Sequence, residues 1–419
     1  MTILSPEIVR ATGTAATDTA NLQEAIDRSC SAYNAWSWQC GIVILQGHFM
    51  TNAPLTVNSR ATQQTTRACY IVGINGATIE YQGTTTDDYI IKCYGRSDNR
   101  VPILDGLIFN CSYKCRGPLI DECGSYRCSM RDVTVLYSRQ VGLELVSNWG
   151  SNFENVRLIN VYGIGLRATN FISSGWTNLK VSQNGVEDAH WPAIDDTTVL
   201  DYNDNPIQTP VLNRAAVIVG GGQHILQQTL FEGCYASGYP LMFIGTSESL
   251  ISGLRMEGNI YTESSVVFQG GYDALDHAQG RTTFTGVNGD YSPWQAKDGK
   301  NSFLELRGDT DDIRVVDSQL FNFGSSLIRA TEGTHTGICL DRVKSYEDPI
   351  PENSRIVAEG AAVIDSIHSI TGSMRVQTSG AYYFGSDNTE GSWRIIPSSG
   401  DLLIQKHVSS NWVTKSTIT

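Results

Sequence analysis

Three copies of one six-residue pattern decide the fold of this chain. They read MRDVTV (130–135), FENVRL (153–158) and WTNLKV (176–181), and each begins 23 residues after the one before. Every copy holds an apolar residue, then Asp or Asn two positions later, then two apolar residues that flank a polar one. Apolar residues that alternate over such short runs indicate strands. A fixed period of strand-only units predicts a solenoid, and specifically a parallel β-helix.

The repeat extends in both directions along the chain. The first two copies are closed by a second apolar patch, VGLEL (141–145) and IGLRA (164–168), and LFEG (230–233) and RMEG (255–258) fit the same template with LMF (241–243) and VVF (266–268). Weaker units stand at 90–91, 107–109, 303–306, 313–316 and 338–340. The period predicts about nine to eleven coils between residues 70 and 370. In this alignment Glu232 and Glu257 share the position of Asp132, Asn155 and Asn178.

Composition limits the classes of protein to which the chain can belong. Of its 419 residues 41% are hydrophobic and 17% charged, so it can bury a core and is not expected to be disordered. The net charge of −13 argues against a nucleic-acid partner or an anionic membrane surface. No apolar run is long enough to span a membrane, and no signal peptide precedes the helix pattern. We therefore expect a protein that stays inside its cell or leaves it by lysis.

The ten cysteines raise the question of zinc. Cys111/Cys115 and Cys123/Cys128 have suggestive spacings, but paired CxxC motifs are missing, and small buried cysteines are the favoured interpretation. Cys30 and Cys40 flank one loop and could pair, although a cytosolic origin favours free thiols. We predict no metal and no cofactor; the acidic loops leave calcium open, but no spacing demands it.

The first eighty residues carry a resemblance to a known family. Residues 18–27 (DTANLQEAID) predict a helix that Asp18 or Thr19 caps and whose apolar face is Leu22, Ala25 and Ile26. A buried strand, GIVIL (41–45), leads to GHF (47–49), and IVGINGATI (71–79) follows. This order resembles the start of pectate-lyase-like β-helix proteins, above all phage tailspikes and tail fibres. RMEGN (255–259) resembles an element of their coils.

The resemblance implies the fold class and the domain order. The fold class is all-β: a single-stranded right-handed parallel β-helix with an N-terminal capping helix and a small C-terminal antiparallel β module. We expect a virion-attachment peptide (1–17), a cap (18–69), the β-helix (70–372) with an insertion at 186–214, and the C-terminal module (373–419). The run GSWRI (391–395), SGDLLIQ (399–405) and Trp412 resembles C-terminal modules in which three phage tail chains interlock. A module so small favours oligomerisation over a monomeric cap.

The insertion is the first candidate for a catalytic site. Its candidate catalytic residues are Glu187, Asp188, Asp195 and Asp196, and its candidate substrate-binding residues are His190, Trp191 and Tyr202. Aromatic faces stack on sugar rings, and paired carboxylates supply an acid with a base or a nucleophile. A solvated acidic loop packed against a neighbouring chain explains the same residues equally well.

Glu232 and Glu257 are the second candidate pair. Equivalent residues of stacked coils lie about 4.8 Å apart, which is close to the separation of the carboxyl groups in a retaining glycosidase. A hydrogen-bonded ladder at a turn is the simpler interpretation of the Asn positions in the same alignment. Arg255 and Trp294, the latter in a loop at 290–300, are further candidates for substrate binding.

The resemblance also implies a function. We expect a homotrimeric phage tail protein that binds host surface polysaccharide, depolymerises it in the manner of an endo-acting glycoside hydrolase more than of a lyase, and docks on another tail or baseplate protein through its N-terminus. Its location would be the virion, without nucleic-acid binding or membrane insertion. A non-catalytic spike and a secreted monomeric polysaccharide lyase or hydrolase are the alternatives.

Overall fold

The computed structural model describes most of the chain, with gaps. The described residues are 6–32, 41–58, 66–67, 69–94, 102–126, 129–169, 174–182, 199–200, 206–207, 215–220, 223–232, 235–236, 239–244, 248–257, 260–261, 264, 266–269, 279–289, 302–321, 326–346, 356–360, 362–365, 367–370, 375–376, 382–384, 391, 393–398, 401–409 and 411–418.

Helix α1 (Ala15–Ser29) precedes the coils, as expected, but starts earlier than the sequence suggested. Its N-cap is Thr14, which makes no side-chain capping bond, so the prediction of Asp18 or Thr19 as the cap was wrong. The buried Asp18 carboxylate instead accepts hydrogen bonds from the Thr12 amide and hydroxyl, both at 2.7 Å, and from the Met50 amide at 3.1 Å. The predicted apolar face is confirmed, because Leu22 and its neighbours are buried.

The rest of the described chain is made of short strands. Those before the first 23-residue repeat are β1 (Glu7–Arg10), β2 (Ser31–Ala32), β3 (Ile42–Thr51), β4 (Leu55–Val57), β5 (Thr66–Arg67), β6 (Tyr70–Tyr81), β7 (Ile91–Tyr94), β8 (Pro102–Asn110) and β9 (Leu119–Tyr126). Those of the repeat up to the insertion are β10 (Ser129–Arg131), β11 (Thr134–Leu136), β12 (Arg139–Trp149), β13 (Asn152–Glu154), β14 (Arg157–Ile159), β15 (Tyr162–Thr169), β16 (Ser174–Thr177) and β17 (Lys180–Ser182).

The later strands follow the same order. Those up to residue 316 are β18 (Val199–Leu200), β19 (Pro206–Ile207), β20 (Ala215–Gly220), β21 (His224–Gln227), β22 (Leu230–Glu232), β23 (Tyr235–Ala236), β24 (Tyr239–Ile244), β25 (Leu250–Ser252), β26 (Arg255–Glu257), β27 (Ile260–Tyr261), β28 (Val266–Gln269), β29 (Gln279–Thr285), β30 (Asn288–Gly289), β31 (Ser302–Arg307) and β32 (Thr310–Val316). The remainder are β33 (Gln319–Phe321), β34 (Ser326–Ala330), β35 (Thr334–Thr336), β36 (Ile338–Asp341), β37 (Lys344–Tyr346), β38 (Ile356–Ala358), β39 (Val363–Ile364), β40 (Ile367–Ile370), β41 (Arg375–Val376), β42 (Tyr382–Phe384), β43 (Trp393–Ser398), β44 (Asp401–Val408) and β45 (Asn411–Ile418).

Parallel pairing between successive coils builds the solenoid. In the described part of the chain, one sheet has twelve strands, which run from β4 through β12, β15 and β20 to β41. A second has 23 strands, to which most coils contribute two consecutive strands, such as β13 and β14. The register follows the sequence period: Ser129 pairs with Asn152 at 23 residues, and Leu230 with Arg255 at 25. The parallel β-helix is confirmed, and ten strands of the twelve-stranded sheet lie between residues 70 and 370.

The apolar core fills the space between the two sheets. Phe153 and Trp176, which the repeat places on adjacent coils, stack with ring centroids 4.3 Å apart and planes 15° from parallel. Further along, Phe284 meets Phe303 edge to face at 5.8 Å. The buried apolar residues of successive coils form one cluster, so each coil buries its neighbour's apolar surface.

The two ends differ from the coils between them. At the N-terminal end, β1 pairs in parallel with β3, so residues 7–10 extend the larger sheet. At the other end, β42–β45 form the antiparallel four-stranded sheet that the sequence indicated. The division into four domains is otherwise a prediction that this arrangement leaves open. Within the described residues, no helix has the length and apolarity that crossing a bilayer requires.

Candidate functional site

Few of the predicted site residues can be located. Glu232, Glu257 and Arg255 are described, on β22 and β26. The other candidates lie outside the described residues: Glu187, Asp188, His190, Trp191, Asp195, Asp196, Tyr202 and Trp294. The geometry of the site therefore rests on the two glutamates and on the strands from which the loops leave.

Glu232 and Glu257 lie side by side on consecutive coils. They are register partners at the ends of β22 and β26, where the sheet spacing separates equivalent positions by about 4.8 Å. Phe231 and Met256, one position earlier, point into the core, so the two glutamates point outward. Their side chains are 45% and 35% exposed. The structure thus brings together one of the two predicted carboxylate sets on a solvent-facing surface.

Each of these carboxylates has a cation beside it. Lys180 Nζ lies 2.8 Å from Glu232 Oε2, and the Arg255 guanidinium donates to Glu257 Oε1 on its own strand. Lys180, Leu230 and Arg255 are themselves successive members of one outward-facing row. Ion pairs this exposed contribute little to stability, about 0–1 kcal/mol. Breaking either ion pair would therefore cost little free energy.

The glutamate pair lies between two long connections. Strands β17, β22, β26 and β30 are consecutive neighbours in the larger sheet. The chain leaves β17 at Ser182 to begin the connection that ends at β20, which includes the small hairpin of β18 and β19. It leaves β30 at Gly289 to begin the connection that ends at β31. Glu232 and Glu257 therefore lie at the ends of β22 and β26, the two middle strands of these four. The two outer strands, β17 and β30, lead into the insertion and into the segment that contains Trp294.

The predicted ladder exists, but its glutamate members do not belong to it. Asn155 Nδ2 donates to Asp132 Oδ1 at 2.8 Å, and Asn178 Nδ2 donates to Asn155 Oδ1 at 2.7 Å. All three residues have a left-handed backbone, with φ of 53°, 53° and 57°. This conformation turns the chain between the paired strands of each coil, and Asn and Asp tolerate it better than most residues.

The alignment of Glu232 with these residues was wrong by four positions. Glu232 pairs with Ser182, not with Asn178. Gln228, whose φ is 53°, and then Gly253, at 63°, continue the ladder instead, each donating its amide to the coil that follows. The error arose because Gln228 lacks the Asp/Asn signature, while Leu230-Phe231-Glu232 imitates it.

Sequence analysis missed a buried polar cluster on the twelve-stranded sheet. Glu144 on β12 accepts two hydrogen bonds from Arg167 on β15, at 2.9 and 2.6 Å, and one from the Tyr89 hydroxyl. Arg116 donates to Gln140 Oε1 at 2.7 Å and lies over the Tyr89 ring. Burial, with the Glu144 charge, raises the pKa of Tyr89, so the phenol stays protonated. A signal was present, because Glu144 and Arg167 hold the same place in VGLEL and IGLRA.

A second buried carboxylate repeats this arrangement further along the same sheet. Glu305 on β31 accepts from Arg329 on the next coil at 2.5 Å, from Arg307 at 2.6 Å and from Ser264 at 2.9 Å. Burial alone would raise the pKa of the Glu305 carboxyl, but the charges of Arg307 and Arg329 outweigh it and lower the pKa. Both buried clusters are nearly closed to solvent, which suits structural ion pairs between coils better than substrate chemistry.

The cysteine predictions are settled only in part. Cys111 and Cys115 are buried thiols, which agrees with the interpretation that they are small core residues and not zinc ligands. Among the described residues, no group of three or more His, Cys, Asp or Glu side chains is placed to hold a metal ion.

Comparisons with known proteins concern the fold. No family model matches the chain, and no curated protein matches it. Several solved structures are similar to the chain. The tailspike of Acinetobacter phage vB_ApiP_P1 is 10% identical with a TM-score of 0.49, and the match covers 98% of this chain and 79% of that one. ORF18 of Geobacillus virus E2 is 14% identical with a TM-score of 0.42, covering 98% and 75%.

A third similar structure contains a sugar. The tailspike of Escherichia coli bacteriophage HK620, in complex with a hexasaccharide, is 11% identical with a TM-score of 0.46, covering 84% of this chain and 64% of that one. At such identities the likeness is one of architecture. The pairing of strands described above shows that the chain folds as a parallel β-helix, and the solved structures similar to it include phage tailspikes.

Proposed function

We propose that the chain is a virion tail protein that binds host surface polysaccharide, whether capsule, exopolysaccharide or lipopolysaccharide O-antigen, and cleaves it during adsorption. The observation that supports this most is the outward-facing pair Glu232 and Glu257 between two strands that lead into long connections. A polysaccharide is a long, stiff ligand, and a solenoid offers it an extended surface. Loops on one edge of such a surface are a common place for binding residues.

The sequence limits how far the candidate loop residues can be from this pair. Glu187 follows Ser182 by five residues, and Trp294 follows Gly289 by five. A fully extended chain of five residues spans about 18 Å at most. Both candidates are therefore tethered within a few sugar lengths of strands that neighbour the glutamates, which supports a shared cleft.

Hydrolysis with retention is the reaction that the pair supports. Carboxyl groups about 5 Å apart allow one to act as acid and base while the other forms a covalent glycosyl intermediate. Arg255 and Lys180 would then bind anionic or hydroxyl groups of the sugar. Sugar stacking would fall to Trp191, Tyr202 and Trp294, with His190 as a further contact. The acidic residues Glu187, Asp188, Asp195 and Asp196 are the alternative catalytic set.

Cleavage is tested with purified host polysaccharides and an assay of new reducing ends. Glu232→Gln and Glu257→Gln each keep shape and remove a charge, so each should lower the rate by at least a hundredfold. Glu154→Gln is the matched control, because Glu154 is an exposed glutamate of the same sheet, two coils before Glu232. Full activity in both variants, together with loss of activity on changing the four loop acids, would move the catalytic role to the insertion. Products that carry a new carbon–carbon double bond would identify a lyase.

Binding without cleavage is favoured by one observation. Both glutamates already have a cationic partner, which is an arrangement that recognises sugar hydroxyls without requiring catalysis. If the protein binds a host polysaccharide and releases no cleavage product from it, this alternative is established.

Trimer formation through the C-terminal sheet is part of the proposal. One face of this sheet holds Trp393, Ile395, Ile404, Val413 and Ile418. Trp393, Val413 and Ile418 are 36%, 39% and 51% exposed, whereas the opposite face buries the polar Gln405 and His407. Lys406 lies on the same face, beside Trp393. A sheet that exposes several large apolar side chains is expected to be covered by another chain.

Light scattering tests the trimer and separates it from the monomeric alternative. The full chain should give three times the 45.8 kDa of one chain. Val413→Lys with Ile418→Lys should reduce this mass to that of a monomer, while the solenoid keeps its circular dichroism. A monomeric wild-type protein would favour the secreted enzyme instead.

The N-terminal end is proposed to dock on another tail or baseplate protein. Ile8 and Ile74 are exposed, and a shallow depression of about 320 Å³ lies beside Ile74, His48 and Thr78. Because β1 is part of the sheet, deleting residues 1–17 would also damage the fold. Ile8→Asp with Ile74→Asp is the sharper test, and it should abolish incorporation into virions without changing the mass of the oligomer.

A further inference from the structure

Two cysteines meet where the cap helix joins the first coils. Cys30 immediately follows α1 and precedes β2, and Cys69 follows β5 by two residues. Strands β2 and β5 pair antiparallel, with Ser31 opposite Arg67. Cys30 and Cys69 therefore lie at the same end of this small ladder.

The surroundings make Cys30 the reactive member of the pair. Cys69 is buried, whereas Cys30 is partly exposed to solvent. Hydrogen bonding with the Cys69 thiol is the largest influence on the pKa of Cys30 and lowers it; the backbones of Cys69 and Asn58 also lower it, while burial and Asp27 act in the opposite direction. Because the thiolate is the attacking form, this environment activates Cys30.

A second pair of thiols in the same chain provides an internal comparison. Cys111 and Cys115 are also close, since the Cys115 thiol lies 3.9 Å from the Cys111 carbonyl oxygen. Both are fully buried, and burial raises the pKa of Cys111 well above its ordinary value. Proximity alone therefore does not make a thiol pair reactive here, and exposure with hydrogen bonding distinguishes the first pair from the second.

We propose that Cys30 and Cys69 form a disulfide on exposure to a small-molecule disulfide, and that this bond ties the end of the cap helix to the first coils. The Cys30 thiolate attacks one sulfur of oxidised glutathione and releases one glutathione thiol. Cys69, after losing its proton to solvent, displaces the second glutathione from Cys30. Two protein thiols are oxidised and one glutathione disulfide is reduced to two thiols, so atoms and electrons balance.

The bond would restrain the part of the fold that protects the end of the core. It links positions 39 residues apart, and closing a segment of that length restricts the unfolded chain. Leu22 and Ile26 of the cap helix cover the apolar residues of the first coils. Oxidation should therefore delay opening of the solenoid at this end.

Peptide mapping tests the bond directly. The full chain is reduced, transferred into oxidised glutathione, treated with an alkylating reagent and digested without reduction. Trypsin releases peptides 29–60 and 68–92, and chymotrypsin separates Cys30 from Cys40 by cutting after Tyr33, Trp36 or Trp38. We expect one fragment that joins Cys30 to Cys69, while Cys111 and Cys115 remain thiols. Recovery of Cys30 and Cys69 both alkylated, of a Cys30–Cys40 bond, or of stable glutathione on Cys30 would each overturn the proposal.

Thermal unfolding tests the consequence. Oxidation should raise the melting temperature of the wild-type chain by about 3–5 °C. Cys30→Ser should remove this response, and Cys339→Ser, which changes a partly exposed cysteine elsewhere in the solenoid, should retain it. An equal response in Cys30→Ser would show that the stabilisation has another source.

Discussion

His335 should make the C-terminal half of the solenoid sensitive to acid. Its imidazole on β35 is fully buried, with Nδ1 2.8 Å from the Thr310 hydroxyl. Among the described residues, Nε2 has no partner at hydrogen-bond geometry. Burial lowers the pKa of His335 to about 4, although the Glu332 backbone and the Asp309 charge act in the opposite direction. The folded protein therefore holds this side chain neutral at pH values where an unfolded chain would protonate it.

The size of the effect follows from the two pKa values. The unfolded histidine binds its proton near pH 6.5 and the folded one near pH 4, so the unfolded state gains protons first as the pH falls. The contribution of His335 to the free energy of unfolding is present in full well above pH 6.5. It declines between pH 6.5 and pH 4 and changes little at lower pH. The loss is about 2 kcal/mol at pH 5 and approaches about 3 kcal/mol at pH 4.

Urea unfolding of the wild type and of His335→Gln at pH 7 and pH 5 measures this quantity. The variant removes the titrating group, so subtracting its stability at each pH cancels the other acidic and basic residues. The variant should be less stable at pH 7, and the difference should shrink by about 2 kcal/mol at pH 5. A difference that stays constant within about 0.5 kcal/mol, the usual limit for an indifferent site, would refute the buried neutral imidazole.

The remaining predictions concern packing and hydrogen bonding, and urea unfolding at pH 7 measures each of them. Trp176→Ala, which removes the stacked partner of Phe153, should cost about 3–5 kcal/mol, and Trp176→Phe much less. Asn155→Ala should be about 1 kcal/mol less stable than Asn155→Gly, because both lose the ladder bonds but only alanine pays for the left-handed backbone; equal values would exclude that strain. Arg329→Met should cost about 3–5 kcal/mol by leaving buried Glu305 with one fewer cation, and a loss below about 1 kcal/mol would mean that solvent reaches the carboxylate.

Local sequence patterns were sufficient to predict the repeated strands and the elements at the two ends of the solenoid. Alternation in MRDVTV, FENVRL and WTNLKV identified the strands, and their spacing gave the register, because a parallel ladder aligns residues one coil apart. The apolar face of α1 was equally readable, since Leu22, Ala25 and Ile26 follow helical spacing. The start of the helix was not, because the Asp18 carboxylate bonds to Thr12 and Met50 instead of capping, and Met50 is distant in sequence.

The sequence predicted that the two glutamates of the candidate site are neighbours, but not where they lie relative to the asparagine ladder. The 25-residue offset placed Glu232 beside Glu257 correctly. The same pattern misplaced both relative to Asn178, since the insertion removed the fixed spacing on which the alignment relied and Gln228 took the ladder position. Lys180, which partners Glu232, could not be found by pattern, because the insertion separates the two in sequence while the sheet joins them.

Periodicity and local composition were enough to predict that short strands stack in parallel coils, that a helix covers one end and that an antiparallel module forms the other. These features depend on residues close in the chain or at a constant period. The folded solenoid was needed to learn which charges share a face, which carboxylates are buried and which cysteine lies near Cys30. The physical reason is that coils of unequal length bring residues together by sheet register, and register is the outcome of packing over the whole solenoid.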